Sequence, residues 1–414
     1  MDAHDVGQLG IYVSIPFCRS KCTYCNFASG VYPASEHQRY VERLIQDLRG
    51  AASWTRENRV ELPRIVDSVY LGGGTPSLLA PDLIAKLFAA MRNAFALDPD
   101  CEITMECAPG QLPQATIEAM VAAGVNRVSL GVQSFIDREA QVSGRLHNRA
   151  IVEDDIARLR DAGIANVNVD LIAGLAGQTS ASWEESLDAL FAAGTPHASV
   201  YMLEVDEDSR LGREMLAGGA RYYAELVPSD EAIATMYERA IERLSGAGLV
   251  QYEISNFAHP GFESRHNLRY WHRRPYLGVG LDASSALYAT DADEEMRPLF
   301  RAKTTDDLKE YLAGPCIVET AWLNRVRQHE EAWFLGLRLN VGVEIAALEH
   351  KFGAELAGPA CNVARGLALD GLLEFDGRFA RLTERGRLLS NEVFQEFISG
   401  PASQRISGAR SVKA

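Results

Sequence analysis

Phe17–Phe27 reads FCRSKCTYCNF and sets Cys18, Cys22 and Cys25 within eight residues, in the spacing C-x3-C-x2-C. The stretch follows IYVSI (Ile11–Ile15), a short run that reads as a buried strand. Three thiolates on one loop are the ligand type that iron–sulfur clusters use. Zinc sites take two C-x2-C pairs, or one such pair with a histidine pair, and the chain supplies no second pair. Position 27 is Phe, and the nearest histidine, His37, lies inside a predicted helix. The loop therefore reads as a cluster site with three protein ligands and no fourth thiolate.

Downstream the chain repeats the strand-then-helix order. Ser35 opens the first helix in a capping-box pattern with Gln38, and Tyr40, Val41, Leu44, Ile45 and Leu48 form its apolar face. VDSVYL (Val66–Leu71) precedes a helix over Pro81–Phe95, with Pro81 in the first turn. EITMEC, RVSLGVQS, NVNVDLI and ASVYMLE each precede a helix, ending at Gly124, Gly163, Gly194 and Gly248, and QYEIS follows. Six such units imply a parallel sheet with helices outside, and candidate residues at nearly every strand C-terminus favour a partial (β/α)6 barrel over residues 1–255. Residues 256–310 are irregular and aromatic and read as a connecting segment. Residues 311–400 carry amphipathic helices and a hairpin turning at Asp376-Gly377, a winged-helix-like α+β domain. Residues 401–414 read as a frayed tail.

The 414 residues are 47% hydrophobic and 23% charged, ordinary for a globular chain. No apolar run approaches the roughly 18 residues a membrane span needs. MDAHDVGQLG lacks the basic and apolar regions of a signal peptide, so a cytoplasmic protein is expected. Seven cysteines, four of them scattered, fit a reducing compartment rather than a disulfide framework. A net charge of −15 argues against nucleic acid as a partner.

GGGTPS (Gly72–Ser77) follows the second predicted strand, where glycines let backbone approach a ligand; alone it reads as a tight turn. Glu106, Gln133 and Asp170 end later strands, and Arg145 lies in SGRLHNR. With Tyr24 before its third cysteine, the loop resembles the radical S-adenosylmethionine (SAM) superfamily. There, three cysteines hold a [4Fe–4S] cluster, SAM occupies the fourth iron, and electron transfer yields a 5′-deoxyadenosyl radical. YVSIPFCRSKCTYCNF, YLGGGTPS, GVNRVSLGVQSF, GRLH, VNVDLIAGLAGQT, YEISNFA and RHNLRYW together resemble the oxygen-independent coproporphyrinogen III oxidase family. The match runs from about residue 10 to 280 and continues more weakly beyond. It implies SAM contacts at Tyr12, Tyr24, Gly73, Gly74, Thr75, Glu106, Gln133, Arg145 and Asp170.

Within that family the sequence is most similar to the heme-chaperone branch. The oxidases carry C-x3-C-x2-C-x-C, and Phe27 stands at the last cysteine. They also have a longer extension before the cluster, where this chain has 17 residues. His266-Asn267-Leu268-Arg269-Tyr270-Trp271 fits the H-N-x-x-Y-W motif that the branch associates with heme, implying heme contacts at His266, Asn267, Tyr270 and Trp271. The implied partners are heme or a porphyrin, heme-acceptor proteins that bring peripheral membrane contact, and a flavodoxin- or ferredoxin-type electron donor, with the chain a monomer or dimer. The rival reading is an enzyme: SAM-dependent oxidative decarboxylation of coproporphyrinogen III, or a related methyl transfer. Ser14 departs from the family's His, Asp282 and Ser284 from its YLGIGxGAHS pattern, ECAPG from E-x-N-P-G, and GLAGQT from GLPGQT.

Overall fold

The computed structural model describes residues 7–290, 297–314 and 316–398; the tail expected over 401–414 lies outside them. Its first six strands are β1 (Gln8–Ile15), β2 (Ile65–Gly73), β3 (Ala96–Cys107), β4 (Arg127–Gln133), β5 (Asn166–Ala173) and β6 (His197–Met202). They lie side by side in chain order, each parallel to the next, with a helix after each. Pro81 takes the first position of its helix, and Gly124 and Gly194 end theirs in the left-handed conformation, at φ 85° and 60°. The capping box expected at Ser35 does not form. The helix Ala34–Glu57 begins after Pro33, which places Ser35 already in the first turn, and Gln38 donates to Glu42 instead.

Successive side chains on a strand face opposite ways. The outer row, such as Leu9, Ile11, Val13 and Ile15 of β1, joins Leu44, Leu87 and Ile117 of the helices in one apolar core. The inner row is polar: Tyr12 and Ser14, Ser68 and Tyr70, Glu102 and Glu106, Arg127 and Ser129, Asn168 and Asp170, His197 and Ser199. Hydrogen bonds cross it from strand to strand. Asn168 donates to Ser129 and Ser199, Ser129 donates to Asp170, and Asn168 also meets His197. The curled sheet thus encloses a hydrogen-bonded polar lumen whose mouth is at the strand C-termini.

The segment 256–310 is part of the sheet rather than a connector. After β7 (Val250–Gln251), β8 (Asn256–Ala258) pairs antiparallel with β6, and β9 (Tyr276–Gly280) pairs parallel with β1. Then β10 (Ser284–Tyr288), β11 (Leu299–Thr304) and β12 (Ile317–Leu323) add antiparallel strands, giving the order β12-β11-β10-β9-β1-β2-β3-β4-β5-β6-β8-β7. The borders read at 255 and 311 therefore fall inside the sheet. β9 is buried along its whole length, so it shows none of the alternation that marks a half-buried strand.

The C-terminal unit has the expected winged-helix elements. The helices Arg325–Gly336 and Ile345–Leu369 pack with β13 (Val343–Glu344), β14 (Leu373–Phe375) and β15 (Phe379–Leu382) around Trp333, Leu337, Phe352 and Val393. The second helix breaks at Gly353, where φ is 72° and ψ is 157°. The β14–β15 hairpin turns at Asp376-Gly377: Gly377 has φ 85°, and the Asp376 carboxylate accepts from the amides of Arg378 and Phe379.

Candidate cluster and SAM site at the barrel mouth

Phe17, buried on leaving β1, stacks on His37 with ring centroids 3.8 Å apart and meets Tyr40 edge-on. The loop it starts is closed on itself. The amide of Cys18 donates to the Gly30 carbonyl at 2.9 Å, and the Lys21 ammonium bridges the carbonyls of Phe27 and Ser29. Cys22 is buried, and Cys18 and Cys25 are half-buried. Burial raises the Cys18 and Cys25 thiols above their usual range, and the neighbouring sulfurs add to it. Among the described residues, no three His, Cys, Asp or Glu side chains converge on a single-ion site. A multi-iron cluster is a larger body and spreads its ligands around itself.

The glycine turn after β2 locks onto this loop. Gly74 donates to the Ile15 carbonyl and Thr75 to that of Phe17, each at 2.8 Å. A Cβ at Gly74 would stand 2.8 Å from the Phe17 carbonyl oxygen, so only glycine permits the approach. Gly73, at φ 102°, points its amide at Glu106. The Glu106 carboxylate also accepts from the Tyr70 hydroxyl at 3.0 Å. Burial, with Asp170 facing it, pushes the Glu106 carboxyl up to about 7. Burial raises Asp170 too, against hydrogen bonds from Ser199, Asn168 and Ser129. Among the described residues neither carboxylate has an ion pair.

Gln133 ends β4 in the left-handed region, at φ 71°, after a register shift that lets Arg145 reach in. The Arg145 guanidinium donates to the Gly131 carbonyl and lies 3.5 Å from the Cys22 sulfur. Tyr12 stacks against Tyr70 beneath the mouth, and Tyr24 is half-buried beside Cys22 and Arg145. The structure thus gathers Cys18, Cys22, Cys25, Tyr12, Tyr24, Gly73, Gly74, Thr75, Glu106, Gln133, Arg145 and Asp170 around one opening.

The heme-motif residues lie elsewhere. The short helix Arg265–Trp271 closes the opposite, N-terminal end of the barrel. Glu102 caps it, its two carboxylate oxygens accepting from the amides of Arg265 and His266 at 3.0 Å each. His266 is 1% exposed, and both ring nitrogens are engaged, Nδ1 with the Ser68 hydroxyl at 3.0 Å and Nε2 with the Tyr270 hydroxyl at 2.9 Å. Arg269, equally buried, bonds Ser68, the carbonyls of Gln8 and Pro275, and Asp67. Gly10 makes room for it; a Cβ there would lie 2.3 Å from Arg269 Cδ. Asn267 and Trp271 are buried as well. The expectation of an imidazole open to a macrocycle is therefore not met here: the cradle of Gly10, Ser68 and Glu102 holds the helix as the barrel floor.

Sequence reasoning missed most of the residues that build lumen and floor: Tyr70, Ser129 and Asn168, then Ser68 and Glu102. Their signal was available as a polar residue at every second position of VDSVYL, EITMEC, RVSLGVQ and NVNVDLI. Asp282, where the family pattern has glycine, sits at φ 55° and pairs with Lys303 at 2.7 Å.

Comparison with known proteins agrees with this anatomy. The radical SAM superfamily matches residues 12–190 and the HemN C-terminal domain matches residues 323–389. Heme chaperone HemW of Lactococcus lactis is 32% identical across 94% of this chain and 96% of its own. The chain belongs to the HemW family. HemW of Bacillus subtilis is likewise 32% identical, over 94% of this chain and 98% of its own. A solved structure of similar fold is that of coproporphyrinogen III oxidase HemN from Escherichia coli, with TM-score 0.79 and 22% identity over 94% of this chain and 89% of that one. Among the described residues no helix is long and apolar enough to cross a membrane.

Proposed function

We propose that this HemW-family chain is a heme carrier. It holds a [4Fe–4S] cluster through Cys18, Cys22 and Cys25, binds SAM at the mouth, and passes heme to acceptor proteins. The cluster and SAM, when bound, supply one-electron chemistry at a sulfonium. The chain's own residues position that chemistry. The turn Gly73–Thr75 pins the cysteine loop by its amides, and Lys21 holds the loop's return. Glu106 and Asp170 are half-buried acids with no ion pair among the described residues, a setting that favours a cationic ligand such as an ammonium or sulfonium group. Arg145 sets a fixed positive charge beside Cys22.

Phe27 carries the carrier reading over the decarboxylase one. It puts a 38% exposed aromatic ring where the oxidase pattern has a fourth thiol. Other exposed apolar side chains in the segments that follow strand C-termini are Leu146, after β4, and Leu216 and Tyr223, in the helical stretch after β6. They offer a flat apolar macrocycle a surface to meet. Ligation by His266 instead requires the floor helix to swing out of its cradle. Anaerobic incubation with SAM, a reductant and coproporphyrinogen III tests the choice: the substrate is recovered unchanged, and formation of protoporphyrinogen would overturn the carrier reading in favour of the enzyme.

A further inference from the structure

Where the sheet meets the C-terminal unit, cations and aromatic rings cluster. Arg273 follows the floor helix, Arg301 lies on β11, and Lys351 lies on the helix Ile345–Leu369 just before its break at Gly353. All three are half-buried, around the buried rings of Tyr276, Tyr288 and Phe352. Arg301 has an acid, Glu331 at 2.9 Å, and its guanidinium also donates to the Tyr276 hydroxyl. Arg273 and Lys351 have no acid among the described residues. The Arg273 guanidinium donates to the Gln328 carbonyl at 3.3 Å and lies 5.5 Å from the centre of the Phe352 ring. The Lys351 ammonium makes no hydrogen bond or ion pair among the described residues. It lies 5.8 Å from the centre of the same Phe352 ring and 5.9 Å from that of Tyr288.

Two like charges are thus held against one ring in a chain whose net charge is −15. A ring attracts a cation without neutralising it, so their mutual repulsion remains. Arg273 also stands in the left-handed region, at φ 56°, a conformation that glycine usually takes at a helix end. This guanidinium is therefore presented at a cost in backbone strain. We propose that Arg273 and Lys351 form a binding site for an oxyanion, either a carboxylate or a phosphate- or sulfate-type group, at the junction of the sheet and the C-terminal unit. Such a group accepts hydrogen bonds from both side chains and brings the negative charge that neither has opposite it. The planar fork of Arg273 suits two oxygens at once, and the ammonium acts as a point donor. The site shares no residue with the barrel mouth, and it does not rest on the carrier reading.

Lys351 itself reports on the site. Burial, with Arg273 adding to it, brings its ammonium down to about 8. A bound oxyanion favours the charged form and so raises that value. The chain has six lysines, few enough for each to give its own NMR signal once the amines carry isotope-labelled methyl groups, and Lys351→Arg identifies the signal of interest. The full chain is titrated with base at equal ionic strength in chloride, in sulfate and in succinate. The Lys351 midpoint should rise by about one unit in sulfate or in succinate relative to chloride, a tenfold coupling. A response to sulfate marks an inorganic type of group, and a response to succinate marks a carboxylate. Arg273→Gln should abolish the response while the other lysine signals keep their positions, which also shows that the variant is folded. A wild-type midpoint that is the same in all three salts would overturn the proposal, whether or not the variant folds. So would a shift no larger than that of the exposed Lys309, or a response that survives in Arg273→Gln.

Discussion

Replacing His266 by alanine separates a floor residue from a surface ligand. In the folded chain the imidazole is enclosed and bonds at both nitrogens. Ser68 keeps a second partner in Arg269 Nε, so its hydroxyl is not stranded. The hydroxyl of the half-buried Tyr270 loses its hydrogen bond to the imidazole, a loss of about 1–3 kcal/mol. The vacated ring, stacked at 5.3 Å on Tyr70, leaves a cavity and lost contacts worth about 2 kcal/mol more. His266→Ala should therefore destabilise the chain by about 3–5 kcal/mol, the sum of these two effects. Urea unfolding followed by tryptophan fluorescence would measure it, since Trp271 lies in the same helix. An exposed ligand would behave differently, since surface substitutions usually change stability by less than about 0.5 kcal/mol. A loss that small would refute the cradle.

Three further outcomes follow from the same geometry. Gly10→Ala drives a methyl group into Arg269, so it should cost about 1–3 kcal/mol in the same unfolding assay. Cys18→Ser, Cys22→Ser and Cys25→Ser should each abolish the iron and sulfide content of anaerobically reconstituted protein, whereas Cys361→Ser in the C-terminal unit should retain it. Glu106 is raised from 4.5 to about 7, so between those values the folded chain keeps a proton that the unfolded chain has lost. Its contribution is full below pH 4.5 and is lost as pH rises to 7. Ligand-free stability should fall across that window by about 2–3 kcal/mol more in the wild type than in Glu106→Gln.

The cluster loop was legible because its chemistry is local: three thiolates at fixed spacing need only one loop. The six strand–helix units were legible from period and punctuation, and so was the hairpin at Asp376-Gly377. What escaped depends on distant parts of the chain. β9 joins β1 across more than 250 residues, and its five residues, buried on both faces, look like any apolar stretch. The RHNLRYW helix looks like a binding motif in sequence, yet its surroundings are set by Gly10, Ser68 and Glu102, on three different strands. The Ser35 cap failed for a smaller reason, a helix that starts two residues early, with Pro33 at the cap position.

The carrier claim is tested most directly by titrating heme into the purified chain and following the Soret band. The account predicts a shifted Soret band that saturates at a fixed ratio of heme to chain and survives gel filtration. A spectrum that stays that of free heme, with heme and protein separating on the column, would contradict it.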